Sequence, residues 1–185
     1  LPGADVRIEE GMLEGLRRGQ VLTLADRGRH VLLELPHEMY FPLESVLRGL
    51  EQAGMVGSLS HPERNQGLLK QPHLVGPLVD RGCLMQVTAG SVIGTFGPQC
   101  QEMSEWMLQE GLVHFLATDA HGPKSRRPLM RRAFERVTEL CDHQTALDLC
   151  CRHPADVAAG REVPAARRVL KRSLFSSWFG RRKVG

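Results

Sequence analysis

Four side chains able to bind metal ions stand at or just after short apolar runs of this sequence. Glu34 lies within Leu-Leu-Glu-Leu, His61 opens His-Pro-Glu-Arg, and Asp119 and His121 form Thr-Asp-Ala-His. Carboxylates and imidazoles gathered at one place can hold divalent metal ions, which polarise a phosphoryl group and lower the pKa of bound water. The chemistry that this pattern predicts is metal-assisted hydrolysis.

Each of these residues also has an ordinary structural interpretation. Glu34 would be a solvent-facing charge on an edge strand, but its neighbours are apolar, and an unpaired buried carboxylate is costly. His61 alone would be a common loop histidine, and Asp119 is a competent helix N-cap beside a chance histidine. Taken together, the residues favour the interpretation as metal ligands.

Three arginines accompany the candidate ligands, namely Arg64, Arg126 and Arg127. Guanidinium groups pair with phosphate oxygens and stabilise the negative charge that develops during phosphoryl transfer. Solvated loop charges are the alternative interpretation. The remaining histidines lack a matching arrangement, and we predict that they are structural or exposed: His30, His37, His73, His114, His143 and His153.

Short apolar runs alternate with stretches of helical spacing, which predicts an α/β fold. An open parallel sheet and a barrel both fit this order, and in α/β barrels the carboxyl ends of the strands carry the active site. The predicted strands are 30–35, 55–60, 83–87 and 112–117. The predicted helices are 42–53, 72–81, 99–109, 128–141, 145–152 and 154–160.

The length of 185 residues and the 42% hydrophobic content predict one domain over 1–163, followed by a basic segment over 164–185. No apolar run approaches the roughly 18 residues of a membrane span. The five cysteines form no CxxC pair, so we expect a cytoplasmic protein with reduced thiols. The net charge of +3 is too small to predict nucleic-acid binding.

The basic segment mixes arginine and lysine with large apolar residues. An amphipathic helix of this kind suits a membrane surface or an acidic partner, and a solvated, disordered tail is the alternative. The apolar residues that fall near one helical face are Leu170, Leu174, Phe175, Trp178 and Phe179.

Four strings of the sequence resemble a known family in their order and spacing. They are Leu-Leu-Glu-Leu-Pro, Ser-His-Pro-Glu-Arg, Leu-Val-Asp-Arg-Gly-Cys-Leu-Met-Gln-Val-Thr-Ala and Gly-Leu-Val-His-Phe-Leu-Ala-Thr-Asp-Ala-His. Over about residues 3–160, the chain resembles the capsule and exopolysaccharide tyrosine-phosphatase branch of the PHP phosphoesterases. The resemblance implies a distorted (β/α)7 barrel with a multinuclear metal centre, usually assigned manganese (Mn2+). It also implies a phosphotyrosine substrate on a bacterial tyrosine kinase that controls polysaccharide export, and self-assembly into a homo-oligomer.

The resemblance assigns roles to particular positions. Asp5 occupies the place where the family's Gly-Ala-Glu motif supplies a metal-binding glutamate, and it is one methylene shorter. The family's opening His-x-His motif and a further histidine lie upstream of the matched region, so we expect the first strands and several ligands to be missing. The residues matched to metal ligands are Glu34, His61, Asp119 and His121. Those matched to phosphate contacts are Arg64 and one of the pair Arg126 and Arg127.

Two alternatives stay open at this point. The same metal site serves other PHP phosphoesterases, which act on small phosphate esters. A non-catalytic binding fragment, docked through the basic segment to an acidic kinase tail or a membrane surface, is the hypothesis from a different functional class.

Overall fold

Five parallel strands form the sheet of the computed structural model, which describes residues 1–124 and 126–164. The strands lie side by side in chain order, so every crossover moves the chain one place in the same direction. A doubly wound sheet has a point where the strand order reverses, and this sheet has none over the described residues. The strands are β1 (Asp5–Arg7), β2 (His30–Glu34), β3 (Val56–Ser60), β4 (Leu84–Thr88) and β5 (Phe115–Ala117).

Short helices connect the strands and pack on the sheet, which confirms the predicted α/β class. The α-helices are α1 (Met12–Arg17), α2 (Glu44–Gln52), α3 (Gln66–Lys70), α4 (Val75–Asp80), α5 (Ala89–Val92), α6 (Pro98–Gln109), α7 (Met130–Leu140), α8 (His143–Leu147) and α9 (His153–Ala158). Three 3₁₀ turns, Leu24–Asp26, Pro62–Arg64 and Pro72–Leu74, and one π-helical turn, Asp148–Arg152, complete the connections.

The two faces of the sheet differ in chemistry because side chains alternate along each strand. Leu33, Leu59 and Met85 belong to the face that is buried in the main hydrophobic core. The opposite face carries Glu34 at the end of β2 and Ser60 at the end of β3. A second, smaller cluster consists of Leu84, Phe115, Val157 and Val163.

Two predicted elements differ from the observed ones for identifiable reasons. The predicted strand 112–117 is regular only from Phe115, because the Nδ1 atom of His114 accepts the backbone N–H of Met85 at 2.9 Å in place of a carbonyl oxygen. The predicted helix 72–81 is divided into a 3₁₀ turn and α4. Pro77 lies within the first turn of α4, where its missing N–H removes no helical hydrogen bond.

Several elements and one segment fall outside the sequence-based prediction. The strand β1 has a single apolar residue, and α1, α3 and α5 are too short for helical periodicity to be recognised. Residues 165–185 lie outside the described residues, so the predicted domain boundary and the basic segment stay predictions. None of the helices within 1–124 and 126–164 has the length and apolar character needed to cross a membrane.

Asn65 fastens the segment that follows β3 to the segment that follows β2. Its side-chain oxygen accepts the N–H of Leu68 at 2.9 Å and so caps α3. Its amide donates to the carbonyl oxygens of Pro36 and Met39, both at 2.8 Å. The Asn65 side chain is buried, so the cap on α3 is shielded from water and the two bonds to the carbonyl oxygens are partly shielded.

We expect Asn65→Ala to lower the free energy of unfolding by about 2 kcal/mol, because it removes a helix cap and the side-chain donor to the carbonyl oxygens of Pro36 and Met39. Urea unfolding followed by circular dichroism measures the change, with Lys70→Ala on the exposed side of α3 as the control. A free energy for Asn65→Ala equal to that of the control would contradict this account.

Candidate metal centre and phosphate site

A cavity of about 600 Å³ lies where β2 and β3 end. The sequence-predicted site residues that line it are Asp5, Glu34, His61, Arg64, Asp119, His121 and Arg126. Parallel strands place their carboxyl ends at one edge of the sheet, and this is how positions far apart in the chain meet. Arg127 is the exception, since it lines a smaller neighbouring cavity.

Asp5, Glu34 and His61 form a group with the geometry of a metal site. Their candidate ligand atoms all lie within 4.8 Å of one another. The Nε2 atom of His61 is 3.5 Å from a carboxylate oxygen of Glu34 and 3.9 Å from one of Asp5. Because β2 pairs with both β1 and β3, Glu34 does not stand on an edge strand, and its carboxylate faces the cavity.

The protonation states in this group suit a cation. Burial, and next the neighbouring carboxylate of Glu34, raise the pKa of Asp5 to about 6. Burial, and next the positive charge of Arg64, lower the pKa of His61 below its ordinary 6.5. The imidazole is therefore neutral at pH 7 and keeps a nitrogen lone pair for a ligand. Two carboxylates and a neutral imidazole are a donor set for divalent manganese, iron or zinc.

The turn after β3 presents His61 in an unusual backbone conformation. Its φ of 33° is left-handed, a conformation that non-glycine residues adopt only where the surroundings enforce it. Pro62 follows, and a proline disfavours the right-handed helical region for the preceding residue. The backbone N–H of Arg64 donates to the His61 carbonyl at 3.0 Å and closes the turn.

Glu63 anchors the same turn to the end of β4. It is completely buried, and one carboxyl oxygen accepts the N–H of Thr88 at 3.1 Å and the hydroxyl of Ser91 at 2.7 Å. Burial raises the pKa of Glu63. Glu63 is not among the site residues that the sequence predicts. Its position between His61 and Arg64 would have been the only signal.

Asp119 joins the two arginines that the sequence predicts as phosphate contacts. Its carboxylate accepts a hydrogen bond from Arg64 at 2.7 Å and another from Arg126. His121 is more exposed, with its Nδ1 atom 2.9 Å from the Asp119 carbonyl oxygen and its Nε2 atom 3.1 Å from an Arg126 nitrogen. The structure thus places both predicted ligands on the cavity, but with arginines as the partners of the Asp119 carboxylate.

The aromatic ring of Phe96 lies next to the guanidinium groups of both Arg64 and Arg126. The guanidinium carbon of Arg64 is 4.4 Å from the centre of the Phe96 ring, and that of Arg126 is 5.9 Å away. Cation–π attraction acts over these distances. Burial, and next the charge of Arg64, lower the pKa of Arg126. Sequence reasoning missed Phe96, whose only signal is an aromatic residue in a glycine-rich loop.

The sequence predicts that the remaining histidines are structural or exposed, and one of them, His37, also lines the main cavity. His30 and His153 are buried, and a ring nitrogen of each lies within hydrogen-bonding distance of a backbone carbonyl oxygen. His114 is also buried and structural. His37, which the sequence analysis placed among the structural or exposed residues, is exposed but lines the main cavity.

The sequence matches one family model over residues 1–159, described as capsular polysaccharide synthesis, CpsB/CapC. The chain belongs to the CpsB/CapC family. The family resemblance that the sequence motifs indicated is thereby confirmed, and it extends over all five strands.

Relatives in this family are known as phosphatases. Tyrosine-protein phosphatase YwqE of Bacillus subtilis (strain 168) is 35% identical over 128 residues, which cover 68% of this chain and 50% of YwqE. Tyrosine-protein phosphatase CpsB of Streptococcus pneumoniae is 27% identical over 161 residues, which cover 84% of this chain and 66% of CpsB. The chain thus spans between half and two thirds of these relatives' lengths.

A solved structure agrees with this relationship. This structure belongs to a set of crystal structures of YwqE from Bacillus subtilis and CpsB from Streptococcus pneumoniae, which are described as unique metal-dependent tyrosine phosphatases. The superposition has a TM-score of 0.85 at 27% identity and covers 92% of this chain and 68% of the other. The arrangement of strands and helices is therefore shared with a metal-dependent phosphatase.

We expect the carboxyl group of Asp5 in the metal-free chain to titrate with a pKa of about 6 instead of the ordinary 3.8. Between these two pH values the folded chain holds the proton and the unfolded chain loses it, so this group's contribution to stability falls as pH rises. Carbon-13 NMR of the carboxyl groups measures the titration. Glu34→Gln should move the midpoint downward, because it removes a neighbouring negative charge. A wild-type midpoint near 4 would contradict the electrostatic description.

Proposed function

We propose that this chain carries a catalytic site of a metal-dependent protein-tyrosine phosphatase that acts on phosphotyrosine in the regulation of capsular or exopolysaccharide synthesis. The observation that supports it most is that one cavity is lined both by Asp5, Glu34 and His61, which could hold a metal ion, and by two arginines. The family membership and the phosphatase names of the relatives agree with this chemistry.

Asp5, Glu34 and His61 would hold a divalent metal ion, and we propose that Asp119 and His121 add ligands to a multinuclear Mn2+ centre. The donor set fits, since carboxylate oxygens and a neutral imidazole suit Mn2+. When bound, the metal would polarise the phosphoryl group and lower the pKa of a bound water. The shorter side chain of Asp5 lies within reach of the group, because its carboxylate is 3.9 Å from the His61 ring nitrogen.

Arg64 and Arg126 would bind and orient the phosphate. Guanidinium groups donate paired hydrogen bonds to phosphate oxygens, and these bonds strengthen as negative charge develops in the transition state. Both arginines already point to one acceptor, the Asp119 carboxylate, so their donors converge. A substrate phosphate would take over donors that Asp119 now holds. Arg126, not Arg127, is the member of the pair that we assign to this role.

We propose that the described sheet is part of a distorted (β/α)7 barrel. A singly wound parallel sheet with strands in chain order has the topology of a barrel segment. The face that carries Glu34 would be the barrel interior. Buried polar side chains on this face support the idea, since the Ser58 hydroxyl and the Gln86 amide nitrogen have no hydrogen-bond partner among the described residues.

The names of the relatives support one substrate class. We propose a phosphotyrosine-bearing protein, specifically a tyrosine kinase of polysaccharide synthesis, and a homo-oligomeric enzyme. A site that contacts phosphate through arginines and a metal also accepts small phosphate esters in principle, so substrate preference needs its own measurement.

We expect Arg64→Ala to lower kcat/KM for a phosphotyrosine peptide by about 100-fold or more, since a transition-state hydrogen-bond donor typically contributes that much. The assay uses Mn2+ with this chain and with a form extended upstream through the family's expected His-x-His segment. Arg131→Ala is the control, because Arg131 is almost fully exposed on α7.

Two outcomes would contradict the proposed function. The first is equal activity of the Arg64→Ala and Arg131→Ala forms. The second is a lack of phosphotyrosine hydrolysis by the extended form together with ready hydrolysis of histidinol phosphate, which would assign the site to a small phosphate ester.

A further inference from the structure

A second, smaller cavity lies beside the phosphate site. Its volume is about 160 Å³, and Gly90, Phe96 and Leu129 contribute to its walls. Arg126 lines both this cavity and the larger one. The two spaces therefore meet at a guanidinium group that we assign to phosphate binding.

The two cavities differ in chemistry. The larger one holds the carboxylates and imidazoles together with arginines. Among the described residues, the smaller one has no carboxylate or imidazole in its lining. Its apolar walls are Phe96 and Leu129, and its remaining side chains are Thr95, Thr118, Lys124, Arg126 and Arg127. Transfer of an apolar group from water to the apolar part of this surface is favourable. A cavity of about 150 Å³ is large enough for a benzene molecule, so the volume of the smaller cavity, about 160 Å³, is sufficient for one phenyl ring beside Phe96 and Leu129.

Phe96 holds its position because a neighbouring residue lacks a side chain. A Cβ atom at Gly90 would lie 2.8 Å from the Cε2 atom of the Phe96 ring, which is too close for the present arrangement. Because that atom is absent, the ring can lie beside α5 and make cation–π contacts with the two arginines. Phe96 thus belongs to the phosphate site and to the smaller cavity at once.

From this geometry we infer that the smaller cavity receives the phenyl ring of phosphotyrosine while Arg64 and Arg126 hold its phosphate. In an aryl phosphate one oxygen atom joins the ring to phosphorus, so the two groups must occupy adjacent sites. Phe96 and Leu129 would then determine the preference for aryl over alkyl phosphate esters. The inference rests on the proposed function, because it needs a phosphate at the arginines.

The test compares phenylphosphonate with methylphosphonate, which share the anionic head and are not hydrolysed. Binding to the full chain with Mn2+ is measured by calorimetry, so the better leaving group of an aryl ester plays no part. We expect phenylphosphonate to bind about tenfold more tightly, given the affinity that ring burial typically adds. With diamagnetic Mg2+ in place of paramagnetic Mn2+, NMR should also show magnetisation transfer between the phenyl protons and the side chains of Phe96 and Leu129.

Variants separate the two roles of Phe96. Phe96→Ala should reduce the preference for the phenyl ligand to about threefold or less, and Gly90→Ala should reduce it by displacing the ring. Phe96→Leu keeps an apolar wall but removes the cation–π contact, so it should weaken both ligands and retain most of the preference. Circular dichroism checks that each variant is folded.

The outcomes distinguish this inference from the function on which it rests. Equal binding of the two phosphonates to the wild type, or an equal loss of both in Phe96→Ala, overturns the ring site alone. Failure of the wild type to bind either phosphonate overturns the phosphate site, and the ring site with it. Transfer from the phenyl protons to residues elsewhere in the chain also overturns the ring site.

Discussion

The charges in the main cavity are divided unequally, and this division determines what the cavity can bind. The Asp119 carboxylate is paired with two arginines. Asp5 and Glu34 share His61, whose pKa is lowered and which is therefore uncharged near neutral pH. One side of the cavity is thus rich in positive charge and the other in negative charge. A divalent cation would compensate the charge of the two carboxylates, and a phosphate would compensate the charge of the two arginines.

This separation depends on contacts below the cavity. Glu63 ties the His61 turn to the end of β4, and Asn65 ties the following segment to the loop after β2. The Asp119 carboxylate joins two like-charged guanidinium groups whose mutual repulsion opposes their approach, and the Phe96 ring adds a cation–π contact to each. These contacts lie where charges are crowded, and they organise the site before its ligand binds.

The sequence was sufficient for the parts of this site that local pattern encodes. Strand ends followed by Glu34, His61 and Asp119 could be recognised because apolar runs mark strands and the polar residues interrupt them. Asp5 came only from the family resemblance, since the three residues of β1 carry no periodic signal. Other contacts join positions far apart in the chain, and local pattern contains no information about them. They are the pair of Asp119 with Arg64, the anchoring by Glu63, the cavity position of His37 and the contacts of Phe96.

The most direct test of the central claim is crystallography with anomalous scattering from Mn2+ soaked into crystals of this chain. The account predicts an anomalous peak within about 2.5 Å of the side chains of Glu34 and His61, with Asp5 as a further ligand. A peak at this cavity that disappears in a His61→Ala crystal, but not in a His73→Ala crystal, would establish the ligand role. Mn2+ bound elsewhere, with Asp5, Glu34 and His61 uncoordinated, would contradict the account.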